Sequence, residues 1–118
     1  MIIIERHSTI MRIGITADGD DLQAWVSDDI GHCPYFIILD TRTMDFEVVE
    51  NEYKDVEAGA GMYVAKAIVD LGLDAVITGG IGMHGYEILH KAGVMVVSDE
   101  EGTVEEAVKV FKRRHPED

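Results

Sequence analysis

The feature that most constrains the fold is a short apolar run that ends abruptly in glycines. Residues 75–78 are Ala-Val-Ile-Thr, and residues 79–85 continue as Gly-Gly-Ile-Gly-Met-His-Gly. An apolar run bounded by glycines is typical of a buried strand followed by a tight loop and a helix start. Such a loop can present backbone N–H groups and a helix N-terminus to an anionic ligand. The stretch therefore predicts an α/β fold with a ligand-binding loop at one end of its sheet.

The size and charge of the chain limit its architecture and its partners. With 118 residues, 47% of them hydrophobic, it can form one compact domain with its own core. Its net charge of -13 would repel nucleic acid and anionic membranes, so we expect neither as a partner. The single cysteine excludes an intramolecular disulfide and fits a reducing compartment, and no apolar stretch approaches the ~18 residues of a membrane span. We therefore expect a cytoplasmic protein.

The hydrophobic pattern predicts five strands and three helices after residue 10. Strands are predicted at 12–17, 35–40, 45–50, 75–78 and 94–97, and the turn at 41–44 makes the second and third a hairpin. Helical spacing predicts helices at about 62–71 and 85–91, and a capping box formed by Thr103 and Glu106 predicts the start of a third. Residues 11–16, Met-Arg-Ile-Gly-Ile-Thr, resemble the beginning of a chain, so we expect residues 1–10 to be an extension or an additional strand segment. Residues 11–118 are expected to form the single domain.

The order of these elements predicts an α/β sandwich with a mixed sheet. Right-handed crossovers between parallel strands, with an antiparallel second strand, give the spatial order 3-2-1-4-5. In this arrangement the loops after the first, third and fourth strands leave one end of the sheet, and the second strand begins there. Residues 31–33, Gly-His-Cys, are therefore expected to lie near the glycine loop at 79–85.

Two short segments are expected to supply soft ligands at this end of the sheet. Thiolates and thioethers favour Cu(I), zinc or iron-sulfur species, and imidazole binds zinc, iron or copper. We predict Cys33, His32 and His84 as metal ligands. The predicted cofactor-binding positions are these three together with Met83, Gly79, Gly80, Gly82, Gly59 and Gly61. So few ligands suit a carrier that passes its cluster on, because a structural metal site usually has four.

Six segments, taken together and in order, resemble the dinitrogenase iron-molybdenum cofactor biosynthesis family, of the NifX, NafY and NifB C-terminal type. They are residues 11–16, 31–36, 59–61, 76–82, 92–94 and 102–107. The resemblance implies a ribonuclease H-like fold and a carrier or scaffold without catalytic activity. It also implies transient binding of an iron-sulfur or iron-molybdenum type cofactor or its precursor, with cluster-assembly or cluster-accepting proteins as partners. Family members typically have histidine where this chain has Asp29, and we expect His32 and Cys33 to compensate.

Two other functions are left open by the sequence. Residues 80–85 match the G-x-G-x-x-G dinucleotide-binding fingerprint after a strand, and Asp99 follows near the spacing of ~20 residues expected for the ribose-binding acid. The helix after this loop is expected to be short for that fold. A protein-interaction module without a cofactor also fits, and Trp25 in the long first loop is its best indication. Nuclease chemistry is not expected, because the first and fourth strands contain no carboxylate to hold catalytic metals.

Overall fold

The computed structural model describes residues 11–116 as an α/β sandwich. Its strands are β1 (Arg12–Ala17), β2 (Tyr35–Asp40), β3 (Phe46–Glu50), β4 (Ala75–Ile77) and β5 (Met95–Val97). Its helices are α1 (Ala60–Asp70), α2 (Met83–Lys91) and α3 (Val104–Arg114). The sheet order β3-β2-β1-β4-β5 confirms the predicted order. The expectation for residues 1–10 lies outside the described residues.

Strand directions place most of the long connections at one end of the sheet. Strand β1 pairs antiparallel with β2 and parallel with β4, while β3 is antiparallel to β2 and β5 is parallel to β4. The connections 18–34, 51–59, 78–82 and 98–103 therefore all lie at the carboxyl end of the parallel strands, called the loop end below. Strand β3, which carries Glu47 and Glu50, forms one edge of the sheet, as the predicted order 3-2-1-4-5 implies.

Alternation along the strands divides the core into two layers. In β1, Ile13 and Ile15 face α3, whereas Gly14 between them faces the other helical layer. The α3 layer is completed by Ile37, Leu39, Ile77, Val104, Val108 and Phe111. The layer under α1 and α2 contains Ile30, Ile38, Val64, Ile68, Leu73, Val76 and Leu89. Because α3 alone covers one face, the loop end has an α3 side and an α1–α2 side.

Two helices begin earlier than the sequence pattern predicted. Helix α1 begins at Ala60 because Gly59 serves as its N-cap with φ of 80°, a left-handed conformation that favours glycine. Helix α2 begins at Met83, with Gly82 as an extended N-cap. The predicted capping box of α3 is confirmed, since the Glu106 amide donates to Thr103 Oγ1 at 3.1 Å. Within residues 11–116, no helix is long and apolar enough to cross a membrane.

Candidate cofactor-binding site

Three backbone segments meet on the α1–α2 side of the loop end. The Ile30 amide donates to the Gly80 carbonyl at 3.0 Å. A Cβ atom on Gly31 would lie 2.7 Å from the Gly61 nitrogen, and one on Gly85 would lie 3.2 Å from the Gly61 oxygen. Residues 27–31, the start of α1 and the start of α2 are therefore in direct contact. The segment just before His32 and Cys33 therefore reaches the glycine loop through Ile30 and the start of α1 through Gly31.

Two buried threonines hold the loops that leave β1 and β4. The hydroxyl oxygens of Thr16 and Thr78 lie 2.9 Å apart, and both side chains are buried. The pair also reaches the Ser27 carbonyl, 3.3 Å from Thr16, and the Gly80 carbonyl, 3.4 Å from Thr78. The two hydroxyls thus satisfy polar groups that would otherwise be buried without partners. Sequence analysis missed them, because threonine is common in strands and at their ends, so neither residue indicates a particular role.

Helices α1 and α2 both begin after a glycine. Their N-caps, Gly59 and Gly82, supply no side-chain cap. A Cβ atom on Gly82 would meet nothing within 4 Å, so this cap faces open space. Uncapped first-turn N–H groups, together with the helix dipole, favour an anionic group nearby. The two helix starts are in contact through Gly61 and Gly85, and this junction is called the glycine cradle below. Its open side is the start of α2 at Gly82, because Gly31 packs against the Gly61 nitrogen.

Glycines 79 and 80 have a different role, because they are covered by the chain itself. A Cβ atom on Gly80 would lie 2.6 Å from the Asp28 carbonyl oxygen, and one on Gly79 would lie 2.8 Å from the Ser27 carbonyl oxygen. The Gly79 amide also donates to that Ser27 oxygen. These glycines therefore allow residues 27–28 to pack against the loop, which leaves no room for a pyrophosphate. With a nine-residue helix after it, the loop does not favour dinucleotide binding.

The Cys33 thiol is enclosed by the protein. Its exposed fraction is 0%, and Sγ lies 3.5 Å from the Ile30 carbonyl oxygen and 3.8 Å from Asn51 Nδ2. Burial raises the pKa of the thiol to about 12. Metal coordination and nucleophilic attack both require the thiolate, which this environment opposes. The ligand role of Cys33 stays a prediction, and the observed burial argues against it in this arrangement.

The imidazole of His32 is committed to two protein acceptors. Nδ1 pairs with the Asp29 carboxylate, and Nε2 lies 3.0 Å from the Val56 carbonyl oxygen. Since both partners only accept hydrogen bonds, the imidazolium form satisfies them best. The hydrogen bond to Asp29, followed by that to Val56, raises the pKa of His32 above its ordinary value. His32 therefore joins residues 29–32 to the segment after β3, and neither nitrogen is available to a metal in this arrangement.

Asn51 is a structural residue of the site that sequence analysis did not identify. Its buried side-chain amide donates to the carbonyls of Gly31 and Cys33, each at 2.9 Å, and its Oδ1 accepts from the Tyr53 amide at 2.9 Å. One side chain therefore fixes the loop before β2 against the loop after β3. The only sequence signal is a polar residue directly after a strand, which is too common to identify a function.

His84 and Met83 are the two predicted soft ligands that face solvent. The Met83 side chain is 74% exposed. The exposed His84 lines a shallow cavity of about 250 Å³ with Met62 and Glu87, and its ring has no hydrogen-bond partner among residues 11–116. Both residues lie in the first turn of α2, beside the glycine cradle. They are therefore accessible to a bound ligand, unlike Cys33 and His32.

The donor set suits a group held by backbone amides better than a metal ion in a protein cage. Among residues 11–116, no three His, Cys, Asp or Glu side chains are grouped so that they could hold a metal ion. The cradle supplies N–H groups, and its rim supplies one imidazole and one thioether. An anionic metal-sulfur cluster fits this combination, because its charge is met by the amides and its metal by the soft side chains.

A model of the dinitrogenase iron-molybdenum cofactor family matches residues 11–114. The chain belongs to the dinitrogenase iron-molybdenum cofactor family. Its fold and its nitrogenase-related family agree with the resemblance drawn from sequence motifs. The family is of a cofactor-binding type.

Similar proteins extend over most of the chain. An uncharacterized protein of Methanocaldococcus jannaschii is 26% identical over 105 residues, which is 86% of each chain. The structure of the apo form of the orange protein from Desulfovibrio gigas is similar with a TM-score of 0.84, at 32% identity and 92% coverage of both chains. A Thermotoga protein whose name relates it to NifB has a TM-score of 0.74 and 38% identity, with coverage of 88% of this chain and 89% of its own.

Proposed function

We propose that this protein is a cytoplasmic, non-catalytic carrier or scaffold that transiently binds an iron-sulfur or iron-molybdenum type cluster, or its precursor, during metallocluster biosynthesis. The cluster is the cargo, and proteins that assemble or accept it are the partners. Family membership supports the class of cargo. The observation that carries the proposal is the glycine cradle, in which two uncapped helix N-termini meet at Gly61 and Gly85.

The cradle would hold an anionic cluster mainly through backbone N–H groups, with His84 and Met83 as soft contacts at its rim. Such binding is reversible, because it relies on many weak contacts and at most one or two metal bonds. A carrier needs this property in order to release its cargo. Coordination by Cys33 or His32 would require the segment 51–56 to move first, since Asn51 and Val56 hold these two residues in place.

The proposal does not include a catalytic step. The Cys33 thiol, with its pKa near 12, is poorly suited to act as a nucleophile at neutral pH, and both nitrogens of His32 are engaged. The groups that face the cradle are amides, an imidazole and a thioether, which suit binding. The site therefore supports holding and releasing a group rather than converting it.

A charge substitution at the open cap of α2 tests the cradle. The side chains introduced by Gly82→Asp and Gly82→Asn have nearly the same shape, and both residues are good N-caps. The two variants therefore differ mainly in one negative charge. The proteins are reconstituted anaerobically with ferrous iron and sulfide, with and without molybdate, and then desalted. We expect Gly82→Asp to retain several-fold less iron, and to show a weaker charge-transfer absorption, than Gly82→Asn.

Side-chain variants separate amide binding from coordination. His84→Ala should alter the charge-transfer absorption, whereas Cys33→Ala should leave it unchanged. Equal cluster retention by Gly82→Asp and Gly82→Asn would contradict the cradle. If only Cys33→Ala loses the cluster, the cluster is bound by the Cys33 thiolate rather than by the cradle. That result would also show that the segment 51–56 opens.

A further inference from the structure

The loop end carries a large excess of negative charge. Its four connections contain eleven of the 23 acidic residues and a single lysine, Lys54. Two acidic stretches, residues 18–21 and 99–101, lie on the α3 side, where Leu22 and Ala24 bond to the start of α3. The glycine cradle is on the α1–α2 side. Six of the eleven acidic residues thus form a patch on the α3 side, apart from the glycine cradle, and the other five lie in residues 28–29 and 52–57.

An exposed tryptophan stands within this acidic side. Trp25 is 62% exposed, although tryptophan is usually well covered in folded proteins. Its backbone is firmly held: its carbonyl accepts from the Asp18 amide at 2.9 Å, and it forms a β-bridge with Thr103. The neighbouring Val26 bridges to Ala17, at the end of β1. A large aromatic side chain is thus presented to solvent on a rigid backbone.

Rigid exposed aromatic residues with a charged surround are characteristic of protein interfaces. Tryptophan is among the residues most enriched in interface hot spots, and a guanidinium or ammonium group can stack on its face. Asp18, Asp20 and Asp21 are exposed in the same loop, and Glu101 is exposed just before the residues that pair with Trp25 and Val26. Polyanionic partners would be repelled here, whereas a basic protein surface would be attracted.

We propose that the Trp25 face, formed by Trp25 with Asp18, Asp20, Asp21 and Glu101, is a docking surface for a protein whose contact segment is rich in arginine and lysine. Charge complementarity steers the partner to the loop end, and stacking of a cationic side chain on Trp25 anchors it. This inference does not depend on the identity of the cargo or on the cradle. It can therefore be tested on the protein without any cluster.

The intrinsic fluorescence of the protein provides a direct test, because Trp25 is the only tryptophan. The probe is a short synthetic peptide rich in arginine and lysine, titrated at low ionic strength, with spermine as a non-peptide polycation for comparison. We expect a saturable change in Trp25 emission that weakens as salt is added. The peptide should bind more tightly than spermine at equal charge concentration.

Matched charge variants locate the contact. Asp18→Asn with Asp20→Asn removes two charges beside Trp25, and Asp45→Asn with Asp70→Asn removes two exposed charges at the opposite end of the sheet. The first pair should weaken binding about fivefold, since exposed ion pairs contribute about 0.5 kcal/mol each, whereas the second should change it little. Trp25→Ala should weaken binding about tenfold by calorimetry, and circular dichroism checks its fold.

Several outcomes would overturn the proposal. These are a peptide titration without a saturable change in Trp25 emission, equal weakening by the two charge pairs, and binding of spermine as tight as that of the peptide. If Trp25→Ala does not fold, Trp25→Phe replaces it, and its weaker cation stacking should lower the affinity for the peptide. Unchanged affinity in a folded Trp25 variant would also overturn the proposal.

Discussion

At the residue scale, the site depends on a few polar side chains that hold loops together. Asn51 joins the segments on either side of the hairpin formed by β2 and β3, and His32 adds a second connection through Val56. Neither role could be predicted from sequence, because each depends on partners that are distant along the chain. Sequence patterns did identify His32 and Cys33 as residues of this region. They did not reveal that the His32 ring is hydrogen-bonded at both nitrogens or that the Cys33 thiol is buried.

Removal of the Asn51 amide should destabilise the fold. Asn51→Ala leaves the carbonyls of Gly31 and Cys33 without this donor in a buried position, and such losses cost about 1–3 kcal/mol per group. We expect the free energy of unfolding in urea to fall by about 2–4 kcal/mol. Gln23→Ala is a suitable control, because that side chain is exposed. A loss below about 1 kcal/mol would show that the loops are held by other contacts.

The His32 contacts should make stability depend on pH. Because its partners raise the folded-state pKa above the ordinary 6.5, the stabilisation is fully present below about pH 6.5. It is lost as the pH rises through the higher folded-state value. The stability difference between wild type and His32→Gln should therefore be largest in acid and shrink in alkali, as measured by urea unfolding across this range. His84→Gln is the control, and a wild-type difference that grows with pH would contradict the assignment.

At the element scale, glycines set how closely the helices and loops approach. Gly31 allows the loop before β2 to touch the start of α1, whereas Gly82 faces open space. The sequence shows both residues, but it does not show which one is crowded. The starts of α1 and α2 were predicted two residues late, because a glycine N-cap has no side chain that marks a helix start in the sequence. The hairpin and the α3 capping box were predictable from local turn and capping residues, and the strand order was predictable from right-handed crossovers between parallel strands.

Alanine substitutions should distinguish these two glycines. In Gly31→Ala the new Cβ would lie 2.7 Å from the Gly61 nitrogen, so the loop and α1 must separate. We expect a loss of about 1–3 kcal/mol of unfolding free energy, as for other overpacked positions. Gly82→Ala meets no atom within 4 Å and has φ of -76°, so its effect should stay within about 0.5 kcal/mol. Similar losses at both positions would contradict the crowding argument.

At the scale of the whole molecule, charge is distributed unevenly over a regular fold. The net charge could be read from the sequence, and it predicted the classes of partner that the surface would repel. Its concentration at the loop end follows from the topology, because three acid-rich connections, residues 18–34, 51–59 and 98–103, leave the sheet on that side. The glycine cradle is located by the same topology.

This distribution should appear in the salt dependence of stability. Repulsion among the carboxylates of the loop end opposes folding, and added salt screens it with a Debye length of about 10 Å at 0.1 M. The melting temperature should therefore rise with sodium chloride from low ionic strength. At low salt, Asp18→Asn with Asp20→Asn should stabilise the protein by about 0.5 kcal/mol more than Asp45→Asn with Asp70→Asn. An equal gain from both pairs would show that the repulsion is not localised.

The position of β3 at the rim of the sheet has a consequence for contacts between copies of the chain. A strand at the rim offers unpaired backbone groups to any extended chain that approaches it, which is a route to fibrous polymers. Glu47 and Glu50 place carboxylates along this rim, so two such strands laid side by side would bring like charges together. This repulsion therefore disfavours pairing of β3 with the same strand of a second copy of the chain.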